Sequence, residues 1–381
     1  RAQLHTSILG VNIAINCRHL LSDKLEGFGN YTLEITKRLC QNHPEHQFYL
    51  FFDRPFSERF LFCENTHGVV VGPVTRHPIL NLIWGSFSLP NALKKYHIDL
   101  FWSPDGICNL RTKTKQIISI HDLNFEHNPE EFPWFVRNYY RFLYPRFAKK
   151  ANHIISVSEY SRQDLIDTYE IEPSKVTTIY NGASEDFKVI DINEKNDVRK
   201  EFSEGRPYFV FVGSIHPRKN VERLLNAFKR YHEKNTEYHL VIVGSNMWRN
   251  QSVQIPADIH DFVTFTGHIQ SEDLSKIMGS AFALVYPPYF EGFGIPLVEA
   301  MKCKVPIVSS NKTCLPEIAG DAAIYFDPFN VEEMAEQMSK INEDSNLRKK
   351  LIENGQGRVT DFSWDQSAKK TWEIIDSFLR N

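Results

Sequence analysis

Tyr208-Phe-Val-Phe-Val-Gly-Ser-Ile-His-Pro-Arg-Lys-Asn220 runs directly into Val221-Glu-Arg-Leu-Leu-Asn-Ala-Phe228. The apolar run Tyr208–Val212 reads as a strand. Val221, Leu224, Leu225 and Phe228 follow at i, i+3, i+4, i+7, the spacing of a helix face turned to a core. A strand, a glycine-led turn and an amphipathic helix form one step of an α/β fold, in which alternating elements imply parallel sheets and right-handed crossovers.

Working outward, the pattern repeats. The spacing predicts further strands at His239–Val243, Phe262–Thr266, Phe282–Tyr286, Pro306–Ser309 and Ala323–Phe326. In the first half it predicts strands over 11–16, Gln47–Phe51, Gly68–Val71, Ile98–Trp102, Gln116–Ile120 and His153–Val157. Helices are expected at Tyr31–Leu39, Phe135–Lys150 and Ser161–Tyr169. Two such series imply two doubly wound domains. Residues 11–185 are read as the first and 205–362 as the second. The charged, weakly periodic stretch 186–204 is read as a linker, and 363–381 as a helix packing back toward the first domain.

Bulk properties agree with this organisation. A chain of 381 residues exceeds one ordinary core. Its 42% hydrophobic and 24% charged content is that of a soluble globular protein. A net charge of −3 offers nucleic acid no global attraction. The six cysteines are scattered, without metal-ligand spacing, and are expected to be free thiols in the cytosol. No apolar run is long enough to span a bilayer. Residues 1–9 read as a tail. The sequons at Asn30, Asn250 and Asn311 are read as chance.

Ligands of open parallel sheets bind beyond the carboxyl ends of the strands, so those loops hold the candidate site. The segment Glu291-Gly-Phe-Gly-Ile-Pro-Leu-Val-Glu299 follows one strand and opens a helix. Pro296 suits the first helical turn. N–H groups from Gly294 to Leu297 are expected to face an anion, with Glu291 and Glu299 flanking it as acceptors for sugar or ribose hydroxyls. Taken singly, Glu299 would be an ordinary first-turn glutamate. Arg218 and Lys219 sit in the Gly213–Asn220 turn, where a helix dipole disfavours cations; a bound diphosphate explains them better than solvent does. Asn220 is expected to cap the helix that follows. Gly27-Phe28-Gly29 follows the first strand but lacks the third glycine of a dinucleotide fingerprint, and a plain flexible loop is its alternative. His121 ends a strand, either to contact a sugar hydroxyl and assist proton movement or as a packed histidine. Phe132–Lys150 mixes aromatics with cations. It reads either as a membrane-surface contact or, preferred, as an amphipathic helix with snorkelling cations, interrupted at Pro145.

These motifs together resemble the retaining glycosyltransferases of the GT-B fold in family 4 (glycosyl transferases group 1), with wording at Gly213–Asn220 and Ile120–Asn124 closest to a bacterial mannosyltransferase-like branch. Ser156–Ser161, Asn181-Gly182-Ala183 and Leu315–Gly320 followed by Asp327-Pro328 also match. The resemblance covers nearly the whole chain. It implies an α/β chain of GT-B architecture, two doubly wound Rossmann-like domains facing across a cleft, the first for the acceptor and the second for the donor.

The resemblance also implies roles. Glu299 holds the ribose hydroxyls. Glu291 holds the transferred sugar, helped by backbone N–H groups of Phe293, Gly294 and Ile295, with Leu297 also at the donor site. Lys219 and Arg218 neutralise the leaving diphosphate, which Gly27, Phe28 and Gly29 approach from the first domain. His121 contacts the donor sugar. Gly213, Ser214, Gly244 and Ile269 line the donor site, with Ile269 near the base, and Ser309–Pro316 lie near the phosphates. Many relatives carry Arg where this chain has Ser214, so Arg218 is expected to take part of that charge.

The expected reaction moves a hexose from a nucleotide sugar, GDP-mannose being one candidate, to a glycan or lipid-linked acceptor in polysaccharide biosynthesis. The leaving phosphate takes the acceptor's proton, with no cofactor and no required metal. The acceptor is expected against Thr75–Pro90 and Phe101–Asn109. Cytoplasmic location is expected, with contact at the inner face of the membrane left open. A nucleotide-sugar epimerase of the same fold and a non-catalytic nucleotide-sugar-binding protein stay as alternatives; a Rossmann dehydrogenase is disfavoured.

Overall fold

The computed structural model describes residues 10–21, 25, 27–245 and 253–380. The proposed tail at 1–9, Glu26 and the Asn250 sequon fall outside the described residues. The chain divides into two compact units, one running to Asn181 and resuming at Trp364, the other Gly182–Ser363.

The first unit is built on a seven-stranded sheet among the described residues: β1 (Asn12–Asn16), β2 (Gln47–Phe52), β3 (Thr66–Val70), β4 (Leu100–Ser103), β5 (Lys115–Ile120), β6 (His153–Ser156) and β7 (Val176–Thr178). Their order is β3-β2-β1-β4-β5-β6-β7, and every pairing is parallel. The direction of winding reverses between β1 and β4. The second unit carries β8 (Tyr208–Val212), β9 (His239–Val243), β10 (Val263–Gly267), β11 (Ala283–Tyr286), β12 (Ile307–Ser310) and β13 (Ala323–Phe326). Their order is β10-β9-β8-β11-β12-β13, also parallel, reversing between β8 and β11. These reversals are the topological switch points at which open α/β sheets form a ligand crevice.

The strands are apolar because helices cover both faces. β8, β9 and β11 are buried at every position. Helix Val221–His232 turns Val221, Leu224, Leu225, Phe228 and Tyr231 inward and packs on helix Val331–Glu343. Helix Trp364–Arg380 packs on helix Gly27–Asn42 within the first unit, where Trp372 stacks on His43 with centroids 3.6 Å apart.

Beyond shifts of a residue or two in element bounds, four elements depart from the sequence reading. Residues 186–204 are not simply a linker, since Ile192–Ser203 form a helix capped by the Asp191 carboxylate. That helix packs on Ser271–Ser280 in the second unit, and it buries only Val198 and Ser203, which is why its periodicity is faint. Strand β7 escaped notice because it has three residues. Helix Trp134–Lys150 continues through Pro145; one lost N–H does not end a helix anchored by buried Leu143, Phe147 and Ala148. Gly27, Phe28 and Gly29 form the first turn of helix Gly27–Asn42 rather than a loop before it.

Candidate active site

In the second unit, the site begins where β8 and β9 end. Gly213 and Gly244 have φ of +153° and +146°. A Cβ on Gly244 would stand 1.9 Å from the Gly213 carbonyl oxygen, so only glycine lets these two strand-end loops touch. Gly213 N–H donates to Val243 (2.9 Å) and Ile215 N–H to Ser245 (3.0 Å). The loops open on a cleft of about 510 Å³ lined by Ile215, Gly244, Val253, Ile255, Phe265 and Gly267. Ile269, expected near the base, is not part of this lining. Ile215 and Phe265 are, and the sequence reading missed both. Ser214 is partly buried beside Gly213.

Pro217–Lys219 form a 3-10 turn in which the Arg218 N–H donates to the His216 imidazole. Asn220 does not cap the next helix. It sits in the left-handed region at φ +63°, and its amide donates to the carbonyls of Pro287 (3.1 Å) and Pro328 (2.7 Å). This ties the turn to the β11 end and fixes where Arg218 and Lys219 point.

Both cations converge on Glu291. Arg218 Nη1 lies 2.9 Å from Glu291 Oε1 and donates to the Phe290 carbonyl at 2.9 Å. Lys219 Nζ pairs with the same carboxylate oxygen and donates to the Tyr286 hydroxyl at 3.1 Å. Glu291 and Lys219 are buried. Burial alone would raise the Glu291 pKa, but the charges of Arg218 and Lys219 outweigh it and hold the carboxyl below its ordinary value. Two cations and one carboxylate leave a surplus of one positive charge, which suits an anion. Glu291 N–H donates to Thr313 (3.3 Å) and its carbonyl accepts from the Cys314 thiol (3.2 Å), so the loop after β12 locks the glutamate from behind.

Helix Ile295–Lys302 starts after Gly294, at φ +87°, with no side chain capping it. Pro296 is in the first turn, as its fixed φ favours. One expected donor is already used, because Leu297 N–H bonds the Gly294 carbonyl at 3.0 Å and the Leu297 side chain is core. Phe293 is buried, its ring edge-on to Phe362. Gly294 and Ile295 remain at the helix start. Glu299 keeps part of its surface accessible yet is hemmed in by protein, and burial pushes its carboxyl up to about 8. Among the described residues, no ion pair or hydrogen bond engages that carboxylate.

In the first unit, the β1/β4 switch point holds a network that sequence reasoning did not find. Buried Asp105 takes Arg18 Nη2 at 2.6 Å, Asn16 Nδ2 at 2.7 Å and the half-exposed His19 at 3.1 Å. Burial would raise the Asp105 pKa; Arg18 and His19 overrule it and hold it far below the usual carboxylate range. Arg18 also donates to Asn81 (2.9 Å) and stacks 4.2 Å from the Trp84 ring centre. The only signal was Arg18-His19 just past a strand, and nothing there points to Asp105. His121 Nε2 donates to the Pro104 carbonyl (2.9 Å), which leaves Nδ1 as an acceptor. Burial lowers its pKa, so the ring is neutral near pH 7 and suited to accepting a hydroxyl rather than to storing a proton. Phe28 and Tyr31 pack edge-on against it, both with centroids at 4.6 Å. Among the described residues, no group of three or more His, Cys, Asp or Glu could hold a metal ion.

Paired doubly wound sheets with polar clusters at both switch points agree with the sequence matches. The profile of Glycosyltransferase Family 4 matches residues 25–187, and that of Glycosyl transferases group 1 matches residues 192–358. The chain belongs to glycosyltransferase family 4. This glycosyltransferase is 26% identical over 362 residues to O-antigen chain mannosyltransferase B of Escherichia coli, covering 91% of this chain and 95% of the relative. It is 28% identical over 240 residues to O-antigen chain mannosyltransferase RfbU of Salmonella typhimurium, covering 60% and 64%. Its fold is that of WaaG, a glycosyltransferase involved in lipopolysaccharide biosynthesis (TM-score 0.77, 18% identity, 95% of this chain and 99% of the other). Anabaena HepE in complex with UDP-glucose is similar too (TM-score 0.76, 16% identity, 96% and 99%). The α/β architecture of the glycosyltransferase is thus the GT-B one.

Proposed function

We propose that this glycosyltransferase moves a hexose, mannose being favoured, from a nucleoside diphosphate sugar to a glycan or lipid-linked acceptor in polysaccharide biosynthesis, with retention at the anomeric carbon. The observation that carries the reading is the convergence of Arg218 and Lys219 on Glu291 beside a helix start whose Glu299 carboxylate has no partner among the described residues. A nucleotide sugar needs cations for its diphosphate and acceptors for its hydroxyls. In this reading Lys219 and Arg218 stabilise the charge that develops on the departing phosphate. Glu291 grips the sugar, and Glu299 the ribose. Gly294 and Ile295 offer backbone N–H groups, the cleft beside Gly244 takes the base, and His121 accepts from a sugar hydroxyl. The glycosidic C–O bond to phosphate breaks, the bond to the acceptor oxygen forms on the same face, and the acceptor's proton passes to the leaving phosphate. No carboxylate nucleophile and no metal is required. The mannosyltransferase relatives support the sugar.

The test is turnover of GDP-mannose, UDP-glucose and ADP-glucose with cell-envelope glycan as acceptor, with and without EDTA. Release of nucleoside diphosphate with product of unchanged anomeric configuration is expected. An inverted product, or conversion of the free donor sugar without acceptor, would overturn the reading.

A further inference from the structure

Strand β11 ends on Tyr286, whose side chain links two parts of the second unit's site. The residue is wholly buried. Its ring lies against Phe211 of β8, with centroids 6.3 Å apart and planes 23° from parallel. A Cβ added to Gly294 would stand 3.6 Å from the ring, so Tyr286 supports the helix start. Its far end reaches Lys219, whose Nζ donates to the hydroxyl at 3.1 Å and lies 5.5 Å from the ring centre.

The chemistry of the neighbours assigns the hydroxyl its part. An ammonium only donates and an ionised carboxylate only accepts, whereas a phenol does both. The Tyr286 oxygen therefore accepts from Lys219, and its one proton goes to Glu291, to which it is also hydrogen-bonded. Burial and the nearby Glu291 charge both push the phenol well above its ordinary range, so the proton stays on it near pH 7. Lys219, Tyr286 and Glu291 close a triangle. All three are buried, where each polar contact is stronger than in water and costly to lose.

The base of the lysine is tied separately. A Cβ on Gly213 would meet Lys219 Cδ and Cε at 3.6 Å, so the stem passes close over that glycine. On either side of Lys219, the Arg218 carbonyl accepts from Tyr289 N–H at 3.0 Å and the Asn220 amide donates to Pro287. The hydroxyl and the carboxylate then act on the tip. Glu291 attracts the ammonium by charge. The hydroxyl turns it by direction and adds no net charge. We propose that Tyr286 is a positioning residue for sugar transfer, its hydroxyl aiming the Lys219 ammonium at the departing phosphate. The inference rests on the role given to Lys219 in the proposed function. A neutral group that fixes a cation in advance serves the charge that develops in the transition state more than the attraction of the bound diphosphate.

The experiment is steady-state kinetics of Tyr286→Phe, alone and combined with Lys219→Ala, with the donors and acceptor of the turnover assay. Phenylalanine keeps the ring on Phe211 and Gly294 and removes only the hydroxyl, so thermal unfolding should stay close to that of the parent. In the single variant kcat and kcat/KM should fall together by about tenfold or more, the scale of one hydrogen bond to a charged group. KM for the nucleotide sugar should stay within about twofold, because the cation is still present. In the Lys219→Ala background the same change should cost no further activity, since no ammonium remains to be aimed. An equal loss in both backgrounds makes the hydroxyl a structural feature and overturns the proposal, as does a parental kcat in Tyr286→Phe; either result leaves the transferase reading intact. A parent that turns over no nucleotide sugar overturns that reading and this inference with it.

Discussion

Arg218 Nη1 sits 2.9 Å from Glu291 Oε1 and the same distance from the Phe290 carbonyl. One guanidinium thus braces both the side chain and the backbone of the loop leading to the helix start. The groups expected to hold phosphate and the group expected to hold sugar are one electrostatic unit. Changing any member changes the others.

That coupling separates binding from transfer. Glu291→Gln removes the only negative charge of the cluster, so affinity for the free nucleoside diphosphate should be retained or rise. Transfer should fall by about a hundredfold or more, the scale at which one preorganised polar group acts. Lys219→Ala should lower both. Nucleotide titration and initial rates on the same preparations test this. Equal losses of affinity in the two variants would count against the division of roles.

Glu299 predicts a proton linkage. Its carboxyl stands at about 8 in the free protein, so near pH 7 it is largely protonated. Hydroxyls that donate to it favour the charged form, so nucleotide binding should lower its pKa and release a proton. Affinity should therefore rise with pH up to about 8 and level off above. The stability sign is opposite to that of an ordinary carboxylate. The contribution of Glu299 is fully present below the ordinary value of 4.5 and is lost as pH rises through about 8. Calorimetry of nucleotide binding in buffers of different ionisation enthalpy reads the proton directly. Glu299→Gln should abolish the release. Proton uptake by the parent would sink the ribose role.

Asp105 predicts a large stability effect in the first unit. Asp105→Asn leaves Arg18 buried without its counter-charge, and breaking such a pair costs about 3–5 kcal/mol. Denaturant unfolding measures it. The midpoint should fall well below that of a control such as Asp361→Asn, itself exposed and paired with the partly exposed Arg358, whose loss is expected to cost about 0–1 kcal/mol.

Gly244→Ala tests the meeting of the β8 and β9 loops. The added carbon would stand 1.9 Å from a backbone oxygen, with φ at +146°, and the loops must separate. Nucleotide binding should weaken about tenfold or more, while Gly205→Ala, where a Cβ meets open space, should change binding little. Because Gly205 also has φ of +82°, the pair separates the clash from the cost of a left-handed alanine, about 1–2 kcal/mol.

The fold was legible because parallel strands covered on both faces must be nearly continuous apolar runs, and β8, β9 and β13 were readable to the residue. Elements resting on few apolar contacts were not. Val176–Thr178 is three residues long, and Ile192–Ser203 buries a single large side chain.

The sequence by itself determined the two α/β series, the Gly213–Asn220 turn, the Glu291–Glu299 segment and the family they belong to, since each is encoded within a few adjacent residues. Only the tertiary structure decided that Arg218 and Lys219 close on Glu291, that Asp105 gathers Arg18 and His19, that Leu297 turns to the core, and that Trp134, Phe135 and Phe142 face outward. The reason is physical. Periodicity and turn chemistry act between near neighbours, whereas charge pairing and burial depend on which strand ends the topology brings together, and no local pattern records that.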